Sequence, residues 1–349
     1  MKLLSTTILC TGILIAGAAH AADKVTVSIA TGGGSTQEGG RAVLWGPASE
    51  KLGYAYIDDT IDEGLNAVRL QVGANNVTYD IVQMAAYEAG LGGKEGILTP
   101  IDYSVVDAKD LIPGTAPKYA VCFYSYSLTF AYNTKTYGDK GPQNWADFFD
   151  VEKFPGRRAM RGNAEAQLEA ALMADGVAPT DVYKVLATPA GLQRAIDKIE
   201  KLKPNIAVWW KSGAQITQLI KDGEVDMLSG WNGRFDTAIK EGAAAKYDFN
   251  QGILGTDCFA VPKGAPHAGE AMKMLNEMMS AESQAKFVKF THDGPTNMKA
   301  FETGLIDPAL AATLPTNPDN VKKQIVQDAD WWVENNDKAQ SMFVDMMTR

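Results

Sequence analysis

Histidine and cysteine are scarce in this chain, since its 349 residues contain three of each. Beyond the first 21 residues only His267, His292, Cys122 and Cys258 remain, and neither histidine stands at metal-ligand spacing from a cysteine. A zinc site is therefore not expected. The chain also lacks a Gly-x-Ser-x-Gly elbow, a His-Glu-x-x-His helix and a Cys–His nucleophile pairing. We predict that the protein is not an enzyme and that it holds no metal or cofactor.

Positive charge is also in short supply. The chain has 33 lysines and arginines against 42 aspartates and glutamates, for a formal net charge of −9. An acidic surface argues against nucleic acid and anionic lipid as partners. Hydrophobic residues make up 46% of the chain and charged residues 21%, which is typical of a globular protein. We expect a monomer, although its acidity does not identify a ligand.

Long apolar runs are absent except at the N-terminus. There Lys2 precedes an apolar stretch at 3–18, and Ala19, His20 and Ala21 follow it. A charged start, a short apolar core and small residues are the order of a secretory signal peptide. A membrane anchor is disfavoured because a spanning helix needs ~20 apolar residues. We predict a signal peptide over residues 1–21 and a periplasmic location.

Strand-like and helix-like segments alternate along the rest of the chain. Residues 24–30 have the alternation of a strand, a glycine-rich turn follows at 31–36, and residues 39–52 have helical spacing. Residues 120–133 resemble a long strand, and residues 163–175 an amphipathic helix. Such alternation indicates parallel βαβ units, and the length exceeds one ordinary core. We therefore predict an α/β fold with two domains that share crossing strands.

Short signatures spread over the chain suggest a family when they are taken in order. They are Tyr79-Asp80-Ile81-Val82 with Tyr87, Asn144-Trp145-Ala146-Asp147, Phe154-Pro155-Gly156, Gly223-Glu224-Val225, Trp231-Asn232-Gly233, Asp257 with Ala260-Val261-Pro262, and Gly294-Pro295-Thr296-Asn297. Each signature is weak by itself. Their order and spacing together resemble the spermidine/putrescine-binding family, whose members are extracellular solute-binding proteins of ABC importers.

The resemblance implies the type II fold of periplasmic binding proteins. In that fold two lobes, each a mixed β-sheet flanked by helices, close on a ligand in a cleft at the hinge. Mapped onto this chain, one lobe takes residues 22–132 and 257–295, and the other takes residues 133–256 and 296–349. The resemblance also implies that the closed form docks on an ABC transporter permease in the inner membrane.

The two cysteines beyond the signal peptide allow two interpretations. Both lie in apolar, strand-like runs, where a free thiol behaves as a small hydrophobic group. In an oxidising compartment they could instead form a disulfide. The family's geometry places Cys122 just before the first crossover between the lobes and Cys258 just after the second. Both would then lie beside the hinge, which favours a disulfide.

Three residues keep ligand contacts that the family implies. Asp257 matches an acidic contact, and Trp231 and Tyr87 match aromatic contacts. An ammonium group removed from water needs carboxylates or aromatic faces. We therefore expect these side chains to line the cleft. The alternatives are a carboxylate that caps the hinge for Asp257 and core packing for Trp231.

Other positions depart from the family in ways that change the charge of the pocket. The aromatic residue two positions before the aspartate is replaced by Gly255, and the acidic pair of the second lobe falls on Asn163 and Ala166. The loop after the Trp-Asn-Gly signature carries Arg234, whose planar fork suits a carboxylate. With Asp257 on an ammonium group, the simplest ligand is an ω-amino acid such as 4-aminobutyrate.

This interpretation has two alternatives. Arg234 could form a salt bridge to Asp236 or Glu241, and the zwitterion hypothesis would then fail. The ligand could also be a polyamine, putrescine or spermidine, if further acids entered the pocket. The acids that could supply that charge are Glu38, Glu88 and Glu165.

Two further segments are candidates for the cleft. Ser35 and Thr36 lie in the glycine-rich turn, which the family uses to line its cleft. Ser212 and Gln215 begin a predicted helix and could donate hydrogen bonds to an anionic end of the ligand. For Ser212 the alternative is an ordinary helix N-cap.

Overall fold

The computed structural model describes residues 24–61 and 64–349. The signal peptide predicted for residues 1–21 therefore lies outside the described residues. Within the described ranges, no helix combines the length and the apolar character that crossing a membrane would require.

One mixed sheet organises the described part of the chain. Its strands are β1 (Thr26–Thr31), β2 (Ala55–Thr60), β3 (Ile81–Ala85), β4 (Leu98–Thr99), β5 (Val121–Asn133), β6 (Arg158–Arg161), β7 (Ile206–Trp210), β8 (Met227–Trp231), β9 (Ala245–Tyr247), β10 (Ile253–Pro262), β11 (Gly294–Pro295) and β12 (Ile325–Val326). The strand order is β2-β1-β3-β10-β5-β8-β6-β7, with β4 and β12 paired to β10, and β9 and β11 paired to β5.

The sheet consists of two parallel halves joined by an antiparallel pair. In one half β1 runs parallel to β2 and β3, and in the other β6 runs parallel to β7 and β8. Between them lie β5 and β10, antiparallel to each other and to their outer neighbours β8 and β3. The predicted α/β fold with shared strands is confirmed. We name the part built on β1–β3 the first lobe and the part built on β6–β8 the second lobe.

Helices cover both halves of the sheet. They are α1 (Gly34–Val43), α2 (Trp45–Leu52), α3 (Gly64–Gly73), α4 (Ala86–Lys94), α5 (Thr134–Tyr137), α6 (Trp145–Phe149), α7 (Gln167–Ala174), α8 (Val182–Leu186), α9 (Pro189–Leu202), α10 (Gly213–Lys221), α11 (Asn232–Lys240), α12 (Ala268–Met278), α13 (Ala281–Thr291), α14 (Pro308–Thr313), α15 (Pro318–Val321) and α16 (Ala329–Thr348).

Two helix predictions need correction. The helix predicted for residues 39–52 is two helices, because the backbone leaves helical geometry at Leu44 (ψ −94°). The helix predicted for residues 163–175 begins only at Gln167, since Ala166 has a φ of 60° that a right-handed helix cannot contain. Residues 163–166 are therefore an irregular segment, in which Asn163 and Glu165 face the cleft and Ala164 and Ala166 pack into the core.

Each lobe has its own buried core. In the first lobe Trp45, Ile81 and Phe259 belong to one hydrophobic cluster, while Trp145 and Leu172 belong to another in the second lobe. Residues 300–314 pack against α13, a first-lobe helix. This packing argues for extending the first lobe to about residue 314, and the lobe boundaries otherwise remain predictions.

The two cysteines lie directly opposite each other on the shared strands. Cys122 of β5 pairs with Cys258 of β10, both side chains are buried, and the structure joins them by a disulfide. Asp257 precedes the second cysteine. The bridge therefore links the shared strands beside a predicted ligand contact.

Candidate ligand-binding site

A cavity of ≈360 Å³ lies between the lobes. This is within the size range of small-molecule sites, about 300–1,000 Å³. Its polar lining residues from the first lobe are Ser35, Thr36, Gln83, Tyr87, Glu88, Asp257, Thr291 and Asp293. Those from the second lobe are Arg161, Asn163, Glu165, Trp231, Arg234 and Thr237, and β5 adds Tyr124 and Tyr126.

Six of the eight predicted ligand contacts line this cavity. They are Ser35, Thr36, Tyr87, Trp231, Arg234 and Asp257. The other two, Ser212 and Gln215, are exposed and are not among the lining residues. The Gln215 Oε1 atom instead accepts hydrogen bonds from the backbone N–H groups of Lys211 (2.6 Å) and Ser212 (3.2 Å). Ser212 and Gln215 therefore cap the N-terminus of α10.

Asp257 is held in place by two hydrogen-bond donors. The Tyr124 hydroxyl and the Gln83 Nε2 atom (2.9 Å) both donate to its Oδ2 atom. Gln83 is itself fixed, because its Oε1 atom accepts from the N–H of Gly32 at 3.1 Å. Burial raises the pKa of Asp257, and the two hydrogen bonds oppose that shift. Both donors to Asp257 are neutral, and none of the described residues forms an ion pair with this carboxyl group.

Arg234 lies in the first turn of α11 and lines the cavity without an ion pair to any described residue. The salt bridge considered from the sequence does not form. Asp236 accepts from the Tyr247 hydroxyl (2.8 Å), and Glu241 pairs with Lys221. The guanidinium is exposed, and no carboxylate of the described residues lies within salt-bridge distance of it.

The sequence analysis missed a buried ion pair in the cavity wall. Arg161, the last residue of β6, pairs with Glu165, which is 4% exposed. The guanidinium carbon of Arg161 lies 5.0 Å from the ring centroid of Trp231, a cation–π distance. Strand β6 was not predicted from the sequence, and Glu165 was considered only for a polyamine ligand. The sequence signal for this ion pair was the four-residue spacing of Arg161 and Glu165.

Tyr126 occupies the space that the family's missing aromatic residue would need. A Cβ atom built on Gly255 would lie 2.7 Å from the Tyr126 ring. The ring meets Trp231 edge-on at a centroid distance of 6.3 Å. An aromatic wall therefore survives at this place, but β5 supplies it instead of position 255.

Two more acids line the cavity on the first-lobe side. The Glu88 Oε2 atom accepts from the N–H of Ala85 at 2.9 Å, and burial raises the pKa of Glu88 to about 7. Burial and then the nearby Asp257 raise the pKa of Asp293 well above its usual range. Of the acids that a polyamine would need, Glu88 and Glu165 line the cavity. Glu38 is exposed and is not among the lining residues.

The charged lining residues are divided between the lobes. The described first-lobe lining has three carboxyl groups, those of Glu88, Asp257 and Asp293. It contains no arginine or lysine. The described second-lobe lining has Arg161 and Arg234, and its single acid, Glu165, is already paired with Arg161. The cavity thus has an acidic side and a basic side. In the described ranges, no cluster of three or more histidine, cysteine or acidic side chains could hold a metal ion.

Comparison with known proteins assigns the chain to a family. Residues 57–316 match the family described as bacterial extracellular solute-binding protein. The gamma-aminobutyric acid-binding protein of Pseudomonas aeruginosa is 32% identical over 333 residues, which are 95% of this chain and 93% of that protein. The chain therefore belongs to the bacterial extracellular solute-binding proteins, and the resemblance inferred from the sequence is confirmed.

Solved structures agree in fold. The periplasmic binding protein MotA of A. tumefaciens B6, in complex with glucopine, is 40% identical with a TM-score of 0.87, covering 92% of this chain and 99% of MotA. A GABA receptor is 30% identical with a TM-score of 0.83, covering 92% of this chain and 97% of the receptor. The predicted periplasmic binding protein fold is confirmed.

Proposed function

We propose that this protein is the periplasmic substrate-binding component of an ABC importer and that it binds a small zwitterionic amine between its lobes. The ligand class is an ω-amino acid, with 4-aminobutyrate as the leading candidate. Export through the signal peptide at residues 1–21 delivers it to the periplasm, where the ligand-loaded monomer docks on a membrane permease.

The division of charge across the cleft carries this proposal. A ligand that bridges the lobes meets unpaired carboxyl groups on the first and a free guanidinium on the second. An unpaired charge in a water-poor site is costly, so the preferred ligand supplies an opposite charge at each end. A zwitterion does this with an ammonium group at Asp257 and a carboxylate at Arg234.

The relatives support the same ligand class. Two proteins that are 30% or more identical to this chain are named for gamma-aminobutyric acid. The aliphatic part of such a ligand would lie against Tyr87, Tyr126 and Trp231, which line the cavity between its charged sides. Ordered aromatic faces suit a short methylene chain because they exclude water without demanding hydrogen bonds.

The proposed mechanism is binding without chemistry. Ligand contacts to both lobes favour the closed conformation by as much as the ligand's affinity differs between the open and closed forms. The family's other members are substrate-binding proteins, which agrees with a transport role. No group in the mechanism needs to form or break a covalent bond.

A larger polar amino acid derivative is the second candidate ligand. Besides its charged groups, the cavity presents the neutral hydrogen-bonding side chains of Gln83, Asn163 and Thr237, and an unbranched methylene chain would leave these unused. The Oδ1 atom of Asn163 is buried without a hydrogen-bond partner. The relative that is 40% identical was solved with glucopine, a ligand that could engage such groups.

A polyamine is the weaker alternative. Glu88 and Glu165 enter the cavity as a polyamine would require. Glu165 is neutralised by Arg161, however, and Arg234, which has no ion pair among the described residues, would face an ammonium group. Like charges in that arrangement repel, which disfavours a ligand with amines at both ends.

Isothermal titration calorimetry on the mature chain tests the proposal. 4-Aminobutyrate, glucopine, putrescine and spermidine are titrated in parallel under one set of buffer conditions. We expect 4-aminobutyrate to bind and the polyamines not to bind. Binding of glucopine alone would select the second candidate, and binding of putrescine or spermidine alone would overturn the zwitterion proposal.

A further inference from the structure

We propose that Asp293 is the second carboxylate of an ammonium subsite whose first carboxylate is Asp257. The pair would restrict the cationic end of the ligand to a primary ammonium group. This inference rests on the proposed function, because it specifies the amine that the acidic side of the cleft accepts.

Strand pairing brings the two acids to the same place. Asp257 on β10 lies opposite Tyr124 of β5. Pro295 on β11 also pairs with Tyr124, and Asp293 precedes it by two residues. Pairing with Tyr124 therefore brings the two carboxyl groups to the same part of the cavity, although 36 positions separate Asp257 and Asp293 in the sequence.

The turn that carries Asp293 is fixed from both lobes. The N–H of Asp293 donates to the Thr291 Oγ1 atom at 3.2 Å. From the second lobe, the Asn232 Nδ2 atom donates to the carbonyl oxygen of His292 at 3.1 Å. A Cβ atom built on Gly233 would lie 3.4 Å from the Asp293 Oδ1 atom, so this carboxyl group borders the first turn of α11. Asp293 is thus a positioned group and not a loose surface acid.

Neither carboxyl group has a cation bonded to it among the described residues. Tyr124 and Gln83 both donate to the Oδ2 atom of Asp257, which leaves its Oδ1 atom without a protein donor in the described part of the chain. Arg234 lowers the pKa of Asp293 from a distance, but burial and Asp257 outweigh it. Both carboxyl groups line the cavity without a bonded cation among the described residues, so a cationic group of a ligand can contact both.

The number of hydrogen-bond donors on the ligand decides which cation fits. A primary ammonium group has three N–H donors, enough for both carboxylates at once. Each N-methyl group removes one donor and adds bulk next to an oxygen. Quaternary ammonium groups have no donors and are recognised mainly by aromatic faces. The paired acids therefore predict a steep preference for primary over methylated amines.

Two independent titrations test this inference. Wild-type protein and Asp293→Asn are titrated with 4-aminobutyrate, with Asp110→Asn as the control, since Asp110 pairs with Lys299 at 3.1 Å outside the cavity. We expect Asp293→Asn to bind about 10- to 100-fold more weakly, the range for a lost hydrogen bond to a charged group. The control should match the wild type. Wild-type protein is also titrated with N-methyl-4-aminobutyrate and with 4-(trimethylammonio)butyrate.

For the methylated series we expect about tenfold weaker binding after one methyl group, by the same loss of a charged hydrogen bond, and no binding of the trimethyl compound. Equal binding of the trimethyl and primary amines by the wild type would overturn the inference, as would unchanged affinity in Asp293→Asn. If Asp293→Asn does not fold, the methylated series decides alone. Failure of the wild type to bind any amine would reject the proposed function as well, whereas tight wild-type binding with an unaffected variant would reject only the role of Asp293.

Discussion

The two sides of the cleft differ in how their buried charges are paired. On the second-lobe side, Arg161 pairs with Glu165 inside the protein. On the first-lobe side, Asp257 and Asp293 have no cation partner among the described residues, and burial raises the pKa of both. The Arg161–Glu165 pair is complete without a ligand, whereas the acidic side is not. From this difference we infer which charges belong to the wall of the cleft and which contact a ligand.

The two arginines of the cavity show the same contrast. Arg161 is half-buried, stacked over Trp231 and bonded to Glu165. Arg234 is exposed and has no carboxylate within salt-bridge distance in the described part of the chain. Closure over a ligand carboxylate would remove Arg234 from water and give it the partner that Arg161 already has. We therefore propose that the first arginine is structural and that the second is the ligand contact.

The largest effect is expected from breaking the internal pair. Glu165→Ala leaves the Arg161 guanidinium without its carboxylate, so we expect the free energy of unfolding to fall by about 3 kcal/mol. Urea denaturation measures the change. Asp175→Ala is the control, because Asp175 pairs with Arg194 and Lys198 near the surface and such pairs contribute about 1 kcal/mol or less each. Equal effects of the two substitutions would remove the contrast drawn here.

Removing the unpaired arginine should act on binding and not on folding. We expect Arg234→Ala to weaken the affinity for 4-aminobutyrate about 100-fold, since the ligand carboxylate loses its partner. The melting temperature without ligand should stay close to that of the wild type. Calorimetric titration measures the affinity, with Arg194→Ala as the control. Undiminished binding by Arg234→Ala would show that another group holds the carboxylate.

The acidic side should make binding depend on pH. Glu88 has a pKa of about 7, and the pKa of Asp257 is also raised, so part of this charge is neutralised by protons in the absence of ligand. A bound ammonium group favours the ionised acids and releases protons. Affinity should therefore rise about tenfold from pH 5 to pH 7 and then level off, the linkage of roughly one proton over part of that window. Titrations in two buffers of different ionisation enthalpy measure the released protons, and affinity that falls over this range would contradict the assignment.

The raised pKa of Glu88 makes the stability of the ligand-free protein change with pH in the direction opposite to the affinity. A carboxyl group whose pKa is raised on folding stabilises the folded state below its ordinary pKa, about 4.3 for glutamate. For Glu88 that contribution is lost as the pH rises through about 7. Ligand should therefore protect against melting more at pH 7 than at pH 5, which thermal unfolding with and without 4-aminobutyrate can measure.

The smallest effect is expected at the contact between the two sides. The Tyr87 hydroxyl lies 3.5 Å from the Glu165 Oε2 atom, at the outer limit of a hydrogen bond. Tyr87→Phe keeps the ring that walls the cavity and removes only this contact. We expect about a two- to threefold change in affinity, which corresponds to less than 1 kcal/mol. A loss of tenfold or more would mean that the hydroxyl binds the ligand directly.

Much of the site could be predicted where the signal is local. Trp231 and Arg234 are three residues apart where β8 joins α11, and Asp257 stands beside a signature motif, so their approximate neighbourhood followed from the sequence. Ser212 and Gln215 showed the limit of this approach. The N-terminus of α10 has the residues of an anion site, but Gln215 turns back to its own backbone. Whether a helix start faces a cavity depends on packing, which helical periodicity does not encode.

The site residues that the sequence did not reveal were missed for a different reason. Arg161 was missed because the short strand β6 carries little pattern of its own, and Asp293 because its partner Asp257 is on another strand. Tyr126 was not among the predicted contacts, although it fills the space over Gly255. In each case the function depends on neighbours across the sheet and not along the chain.

The sequence by itself determined the α/β class, the strands shared between lobes and the family, because alternation and short motifs are local properties of the chain. Only the tertiary structure decided the balance of charge in the cleft. That balance is a sum over Glu88, Arg161, Glu165, Arg234, Asp257 and Asp293, which the strand order β3-β10-β5-β8-β6 brings together from distant parts of the chain. Electrostatic energy depends on distance and burial in space, so it could not be read before the fold had fixed both.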